Sequence, residues 1–261
     1  MSDSESRFEA YLAHDGGEME GWSFAAMSSP GRTDADPLPW SYGSIVIPWV
    51  DRAESLLDMG TGGGEVLSSL RPLPAETHAT EGWAPNIPVA RARLEPLGIR
   101  VHPFEREDEP LPFSDATFDL VINRHEAYDP AEVFRVLKPG GRFITQQVGG
   151  RNNRYLNDLF ETGPVFDGSS WTLERAAQEV LQAGFQVVDQ REAFPATRFY
   201  DVGALVFYLR AISWQIKGFS VEAFRSKLFE IHLLIESQGW LEVGEHRFFI
   251  EAVKPSPLNA G

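Results

Sequence analysis

Ten residues in the first quarter of the chain run Leu56-Leu57-Asp58-Met59-Gly60-Thr61-Gly62-Gly63-Gly64-Glu65. Two apolar residues lead into an acid, and glycines then occupy the alternate positions 60, 62 and 64. Glycine lets a backbone turn sharply and lets a ligand approach it closely, because no Cβ stands in the way. The run therefore predicts the end of a buried strand, a tight glycine turn and a helix that begins at Glu65, with free backbone N–H groups at its start.

The spacing of the glycines indicates what the turn binds. A dinucleotide site has the pattern G-x-G-x-x-G, with the pyrophosphate at the helix N-terminus. Counted from Gly60, the sixth position is Glu65, whose negative charge is unfavourable beside a pyrophosphate. Asp58 lies two residues before Gly60 and suits a ligand that carries an ammonium group. The alternative is a glycine turn without a ligand.

The pattern D-x-G-x-G-x-G resembles the first motif of class I S-adenosylmethionine-dependent methyltransferases. The resemblance implies that Gly60, Gly62 and Gly64, with Thr61 among them, border the methionine part of the cofactor. It also implies that Asp58 orients the nearby backbone or meets the amino group of the cofactor through water.

A second acid follows the glycine turn at the sequence distance typical of a ribose ligand. Residues 77–83 predict a strand that ends at Glu81, which lies 21 residues after Gly60. In nucleotide-binding folds, an acid about 20 residues after the first glycine accepts hydrogen bonds from ribose hydroxyls. Glu81 is therefore the predicted ribose ligand. Gly82 and Trp83, which follow it in the sequence, are also predicted to contact the cofactor. The indole of Trp83 either stacks near the adenine or fills the core.

Two further segments, 111–123 and 132–144, extend the resemblance. They predict a buried strand at 118–122, a helix from 132 to 137 that Pro139 and Gly140 end, and a strand that begins at Phe143. The order LPF…FDLV…VLKPGG resembles the central half of the methyltransferase domain in many small-molecule methyltransferases. Four matching segments in order between 56 and 147 make a specific signal.

The loop that follows the 118–122 strand contains the candidate reactive residues. The resemblance implies that the backbone near Asn123 contacts the cofactor and that the next residues face the methyl group. His125 is the candidate general base, because the ordinary pKa of histidine lies near neutrality, or else it is an ordinary loop histidine. Tyr128 or Glu126 positions the acceptor in a second interpretation. A base is needed only if the acceptor is protonated at neutral pH.

The adenine contact is ambiguous in the sequence. Related domains place an acid and a small residue before the LPF segment, whereas this chain has the charge run 105–109. Counting back from Leu111 favours Glu107 with Asp108, and counting forward from the preceding strand favours Glu105. Most of such a run is normally a solvated surface.

Composition limits the classes of function. The chain has 261 residues, 38 acids against 23 bases and a net charge of −15, which disfavours a nucleic acid substrate because that binding depends on Lys and Arg. It has no cysteine and no apolar stretch of membrane-spanning length. Its polar N-terminus is unlike a signal peptide. The histidines show no metal-ligand spacing, so we expect no metal. These features favour a cytoplasmic protein without a membrane partner.

The rest of the chain predicts a helical N-terminal segment at 1–50, expected to act as a lid over the acceptor, and an insertion. Residues 1–50 contain a helix at 7–13, a loop at 28–39 and a second helix at 45–50. Helix 172–183 and strands 185–194 and 247–253 resemble the antiparallel end of the methyltransferase sheet. Between those strands, helices are predicted at 201–216 and 221–236.

The insertion at 201–237 is rich in aromatic residues, which either cover the acceptor site or pack as additional core. We expect Tyr42, Tyr128, Tyr208 and Trp214 to contact the substrate.

The prediction is one class I methyltransferase domain over 1–261, an α/β Rossmann-like fold with a mostly parallel seven-stranded sheet and helices on both faces. S-adenosylmethionine is the expected cofactor and a small molecule the expected acceptor. The alternatives are an RNA or protein methyltransferase, or a non-catalytic cofactor-binding or regulatory protein.

Overall fold

The computed structural model describes residues 2–14, 27, 31–104, 109–163 and 170–256. The chain forms two compact units, and each is assembled from separate parts of the sequence. The first unit comprises residues 1–38, 150–170 and 194–246, and the second comprises 39–149, 171–193 and 247–261.

Strands and helices alternate through the middle of the chain, as predicted. Within the described residues the helices are α1 (Asp3–Ala13), α2 (Tyr42–Val50), α3 (Glu65–Ser69), α4 (Asn86–Leu94), α5 (Pro130–Val136), α6 (Arg154–Leu159), α7 (Leu173–Gln182), α8 (Val202–Ala211) and α9 (Arg225–Gln238). The strands are β1 (Thr33–Ala35), β2 (Ser55–Met59), β3 (Glu76–Glu81), β4 (Arg100–Pro103), β5 (Phe118–Arg124), β6 (Leu137–Val148), β7 (Gln186–Ala193), β8 (Ala196–Phe199), β9 (Leu241–Gly244) and β10 (Arg247–Val253).

A seven-stranded sheet organises the second unit, in the order β4-β3-β2-β5-β6-β10-β7. The first five strands in this order are parallel, and β10 is antiparallel to both of its neighbours. The predicted mostly parallel sheet with an antiparallel end is confirmed. In sheets of this kind the carboxyl ends of the parallel strands meet at one edge, where ligands bind.

The core of the second unit packs against this sheet. All five residues of β2 are buried, because the strand lies in the middle of the sheet and pairs on both sides. Helix α7 buries Ala176, Ala177 and Val180 on one side. Thr172 caps the helix by accepting a hydrogen bond from the backbone N–H of Arg175, and Gly184 follows its end with φ +103°, as its sequence predicts.

The boundaries in the second unit differ slightly from the predicted ones. The helix expected to reach Leu137 ends at Val136, and Leu137 already begins β6, which is longer than the expected 143–147 strand. Helix α2 includes Pro48 and begins three residues earlier than predicted, because the Ser41 side chain caps it by accepting from the backbone N–H of Ser44.

A three-stranded antiparallel sheet, in the order β1-β8-β9, organises the first unit. The prediction of loop alone over 28–39 is wrong at Thr33–Ala35, which forms β1, and β8 and β9 were not predicted. The two helices of the insertion are confirmed with different boundaries, since α8 ends at Ala211 rather than 216, and α9 runs from Arg225 to Gln238 rather than from 221 to 236.

Aromatic residues of the insertion contribute to the core of the first unit. Phe207 is buried in it, and Phe219, Phe224 and Phe229 pack against it. A buried amide network lies beside this core, in which Gln215 Nε2 donates to Asn157 Oδ1 at 2.6 Å. These contacts support the additional-core interpretation for part of the insertion.

Candidate active site

The glycine turn joins the end of β2 to α3. Gly60, Gly62 and Gly64 have φ angles of +66°, +61° and +80°, a region that L side chains rarely adopt. The turn is tied to β3 because the Thr61 backbone N–H donates to the Thr80 carbonyl at 2.9 Å. A Cβ on Gly64 would lie 2.7 Å from Leu94 Cγ in α4, so glycine also permits the close packing of two helices.

Asp58 is a buried acid directly before this turn. It is 6% exposed. Burial raises the pKa of Asp58 to about 7, and the negative charge of Glu81 adds to that effect, while the polar side chain of Thr61 and the charge of Arg124 oppose it. The carboxyl group is thus about half protonated at neutral pH, and a neighbouring positive charge would favour its ionised form.

Glu81 lies at the carboxyl end of β3, next to the strand that carries Asp58. Its Oε2 accepts a hydrogen bond from the Gly62 N–H at 2.6 Å, and its Oε1 accepts one from the Trp83 N–H at 2.9 Å. Burial raises the pKa of Glu81, although these backbone hydrogen bonds lower it. The side chain therefore holds the glycine turn in place, and each carboxylate oxygen keeps a further lone pair for a hydroxyl donor.

The end of β5 is fixed by a buried polar network. Asn123 is fully buried, and its Oδ1 accepts hydrogen bonds from Thr145 Oγ1 at 2.9 Å and from Gln147 Nε2 at 2.6 Å. The hydroxyl of Tyr42 donates to the Asn123 carbonyl at 3.3 Å. Since β5 pairs with β2 up to Met59, this network borders the glycine turn.

His125 follows β5 in a left-handed backbone conformation, with φ +65°. Its backbone N–H donates to the Gln146 carbonyl at 2.8 Å, and its Nε2 lies 3.1 Å from Gln146 Nε2. Gln146 Oε1 in turn accepts from the indole Nε1–H of Trp40 at 2.9 Å. Loss of hydration at the ring, with the charges of Arg124 and Arg247, lowers the pKa of His125.

Glu126 lies over the glycine turn. A Cβ on Gly60 would approach the Glu126 side chain, with Oε2 only 2.7 Å away. The backbone carbonyl of Glu126 accepts from Gln147 Nε2 at 3.0 Å, which holds this residue at the end of β5. The sequence indicated Glu126 only as one residue that positions the acceptor, and no local pattern reveals its contact with a turn 66 residues earlier.

The remaining predicted contacts of the cofactor and the substrate differ in their burial. Tyr42 is buried, and Tyr128 packs edge-on against Phe143 and within 6.2 Å of Trp171. Trp83 is 47% exposed beside the partly exposed Gly82. The predicted adenine contacts, Glu107 and Asp108, lie outside the described residues. The roles of all these residues toward cofactor or acceptor stay predictions.

Tyr208 and Trp214 belong to the first unit. The Tyr208 hydroxyl accepts from Asn153 Nδ2 at 2.8 Å, and its ring packs beside Phe199. Trp214 is 39% exposed. Their contact with the acceptor, and the predicted covering role of 201–237, stay predictions.

The described residues contain neither a candidate metal site nor a candidate membrane-spanning helix. No three His, Asp or Glu side chains among them are grouped so that they could bind a metal ion. Likewise, none of the helices formed by these residues is long and apolar enough to cross a membrane.

Comparison with known proteins agrees with this architecture. A family model described as a methyltransferase domain matches residues 57–145. The demethylmenaquinone methyltransferase of Thermus thermophilus is 30% identical over 116 residues, which are 41% of this chain and 53% of the relative. The ubiquinone biosynthesis O-methyltransferase of Ruegeria pomeroyi is 32% identical over 177 residues, which are 61% of this chain and 65% of the relative. The chain thus spans between half and two thirds of the length of these curated relatives.

A solved structure shows the same fold. It is a candidate methyltransferase from Bacillus halodurans C-125, with a TM-score of 0.60 and 18% identity, and the match covers 83% of this chain and 100% of that one. The matched segment contains the glycine turn, both strand-terminal acids and the loop after β5. Residues 57–145 therefore match a methyltransferase domain, and the fold is shared with this solved structure.

Proposed function

We propose that this chain binds S-adenosylmethionine and transfers its methyl group to a small molecule. The observation that carries the proposal is a pair of acids with raised pKa values, Asp58 and Glu81, at the carboxyl ends of adjacent strands beside a turn of left-handed glycines. Buried acids of this kind favour a ligand that supplies positive charge and hydroxyl donors. S-adenosylmethionine carries an ammonium group, a sulfonium and two ribose hydroxyls, so the residues fit it.

Individual residues have distinct roles in this proposal. The turn from Gly60 to Gly64 borders the methionine part, Asp58 faces the ammonium group, and Glu81 accepts from the ribose hydroxyls. The backbone at Asn123 lies where the parallel strands end, and Trp83 is exposed enough to contact the adenine. When bound, the cofactor supplies an electrophilic methyl group, while the protein orients the reactants and excludes water.

A phenolic or quinol-type ring compound is the first acceptor class to test. The names of both curated relatives refer to quinone substrates or quinone biosynthesis. The net charge of −15 disfavours nucleic acid as the acceptor. Turnover on such a phenol would exclude the non-catalytic alternative.

Calorimetry with the full chain tests the cofactor. S-adenosylmethionine and S-adenosylhomocysteine are expected to bind with Kd values of about 1 μM, roughly −8 kcal/mol. Glu81→Ala should weaken both by about 10- to 100-fold, the effect of losing hydrogen bonds to a charged group. The matched control is Glu76→Ala, which removes an exposed acid at the start of the same strand and should leave affinity unchanged.

Transfer is tested with labelled cofactor and a panel of phenols, quinols and metabolite pools, followed by mass spectrometry of the labelled product. Binding of NAD without binding of S-adenosylmethionine would refute the cofactor assignment. Cofactor binding without label in any pool would favour the regulatory alternative.

A further inference from the structure

The orientation of the Gln146 side chain determines the protonation of His125. The indole Nε1–H of Trp40 can only donate, so the Gln146 atom 2.9 Å away is the amide oxygen. The amide NH₂ group of Gln146 then faces His125 Nε2 at 3.1 Å. An NH₂ group donates, so Nε2 of His125 accepts with its lone pair and carries no proton. The ring proton of the neutral imidazole is therefore on Nδ1.

We propose that His125 acts in the active site as a neutral hydrogen-bond donor through Nδ1–H, and that Gln146 and Trp40 are the positioning residues that hold it in this tautomer. This inference deepens the proposed function, because the donor would face an oxygen or nitrogen lone pair of the methyl acceptor. It replaces the general base that the sequence suggested. An acceptor served by such a donor must reach the site already deprotonated or with a free lone pair.

Burial and backbone conformation support this arrangement. Trp40 and Gln146 are buried at 8% and 2% exposure, whereas the His125 side chain is exposed. Within the described part of the chain, Nε2 is the only ring atom of His125 with a hydrogen-bond partner. The left-handed φ of +65° is uncommon outside glycine, although histidine adopts it more readily than most residues, and it turns the chain directly after β5.

The charges around His125 also favour the neutral form of its ring. Arg124 and Arg247 place positive charge near the ring and lower its pKa together with the loss of hydration. A lowered pKa favours the neutral imidazole and makes His125 a weaker proton acceptor at pH 7. The same cations would stabilise an anionic acceptor such as a phenolate.

Nitrogen-15 NMR of the ligand-free full chain tests the tautomer directly, without cofactor or activity. The His125 signals are identified as those lost in His125→Asn. We expect an unprotonated Nε2 and a protonated Nδ1, unchanged between about pH 5 and pH 8. A proton on Nε2, or titration near the ordinary histidine value, would overturn the proposal.

Two variants test the positioning residues by the same signals. Trp40→Phe removes the indole N–H, frees the amide of Gln146 to rotate, and should move a measurable share of the ring proton to Nε2. Trp49→Phe is the matched control at a partly exposed indole that stacks on Arg142, and it should leave the tautomer unchanged. An unchanged tautomer in folded Trp40→Phe would remove Trp40 from the proposal.

Turnover distinguishes a donor from a base once an acceptor is known. In His125→Asn the amide NH₂ reproduces the Nδ1–H donor, and asparagine tolerates a left-handed conformation. His125→Gly keeps the backbone conformation but has no donor. We expect the asparagine variant to retain at least 10-fold more kcat than the glycine variant, and equal losses in both would refute the donor role. If no transfer occurs at all, the proposed function fails, whereas the NMR result still decides the tautomer.

Discussion

Replacing Asp58 with asparagine is expected to stabilise the ligand-free protein at neutral pH and to weaken cofactor binding. Burial raises the pKa of Asp58 from its ordinary value of 3.8 to about 7. A shift of one pKa unit corresponds to about 1.36 kcal/mol, so ionised Asp58 costs the folded state at most roughly 4 kcal/mol above pH 7. The asparagine amide also brings polar atoms into the buried position, so we expect a net gain of about 2 kcal/mol.

The pH dependence identifies the cause of this gain. Because the folded-state pKa lies above the unfolded value, the unfavourable contribution is absent below about pH 4, grows up to about pH 7 and is constant above it. The difference in unfolding free energy between Asp58→Asn and the parent should therefore grow by about 2 to 3 kcal/mol between pH 5 and pH 8. Urea titrations at a series of pH values measure it.

Asp119→Asn is the control with the opposite sign. Although partial burial opposes the shift, hydrogen bonds from Ser55 and the charged hydrogen bond from Lys138 lower the pKa of Asp119. Its contribution to stability is present above the unfolded pKa and is lost as the pH falls through the folded one. Asp119→Asn should destabilise the protein at pH 7 and do so less in acid.

Calorimetry in buffers of different ionisation enthalpy completes the test. If the cofactor ammonium group ionises Asp58, binding at pH 7 should release about half a proton, since the group is half protonated in the free protein. Asp58→Asn should abolish this release and weaken binding. A stability difference that does not change with pH, together with no proton release by the parent, would refute the reasoning.

Three other substitutions test the turn and the first unit. Gly60→Ala, at φ +66° and against Glu126, should destabilise the chain by about 1 to 2 kcal/mol and reduce cofactor affinity in calorimetry; normal affinity would show that the ligand does not approach this glycine. Gly62→Val, at φ +61°, should abolish binding although circular dichroism still shows a folded chain, and normal binding would mean that the turn is assigned wrongly. Asp201→Ala removes both the α8 cap and the bidentate partner of Arg32, and it should lower the unfolding free energy by about 3 to 5 kcal/mol in urea; a loss under 1 kcal/mol would contradict a buried pair.

Local sequence patterns predicted the parts of the fold whose contacts are local or repeated. The apolar run before Asp58, the alternate glycines and the acid at Glu81 each predict one strand end or turn, and the structure contains all three. Likewise, Thr172 alone predicted the start of α7, and Gly184 alone predicted its end. These signals succeed because capping and left-handed turns depend on a few neighbouring residues.

Elements that depend on distant partners were not predicted. Strand β1 has three residues, and it pairs Thr33 with Phe199, so its own residues give no alternating pattern that marks it. The tautomer of His125 depends on Gln146 and on Trp40, which lies 106 residues from Gln146 in sequence. One signal was available, since two adjacent glutamines at 146 and 147 that closely follow Phe143 and Ile144 indicate buried amides that need partners.

The second unit separates charge along the carboxyl edge of its sheet. Asp58 and Glu81 end β2 and β3, whereas Arg124 ends β5 and Arg247 begins the antiparallel β10. A cationic cofactor is favoured beside the two acids, and an electron-rich acceptor is favoured beside the two arginines and the neutral His125. Under the proposed function the two reactants would meet between regions of opposite charge. Orientation of an electron-rich acceptor would then suffice for transfer, without a side chain that removes a proton.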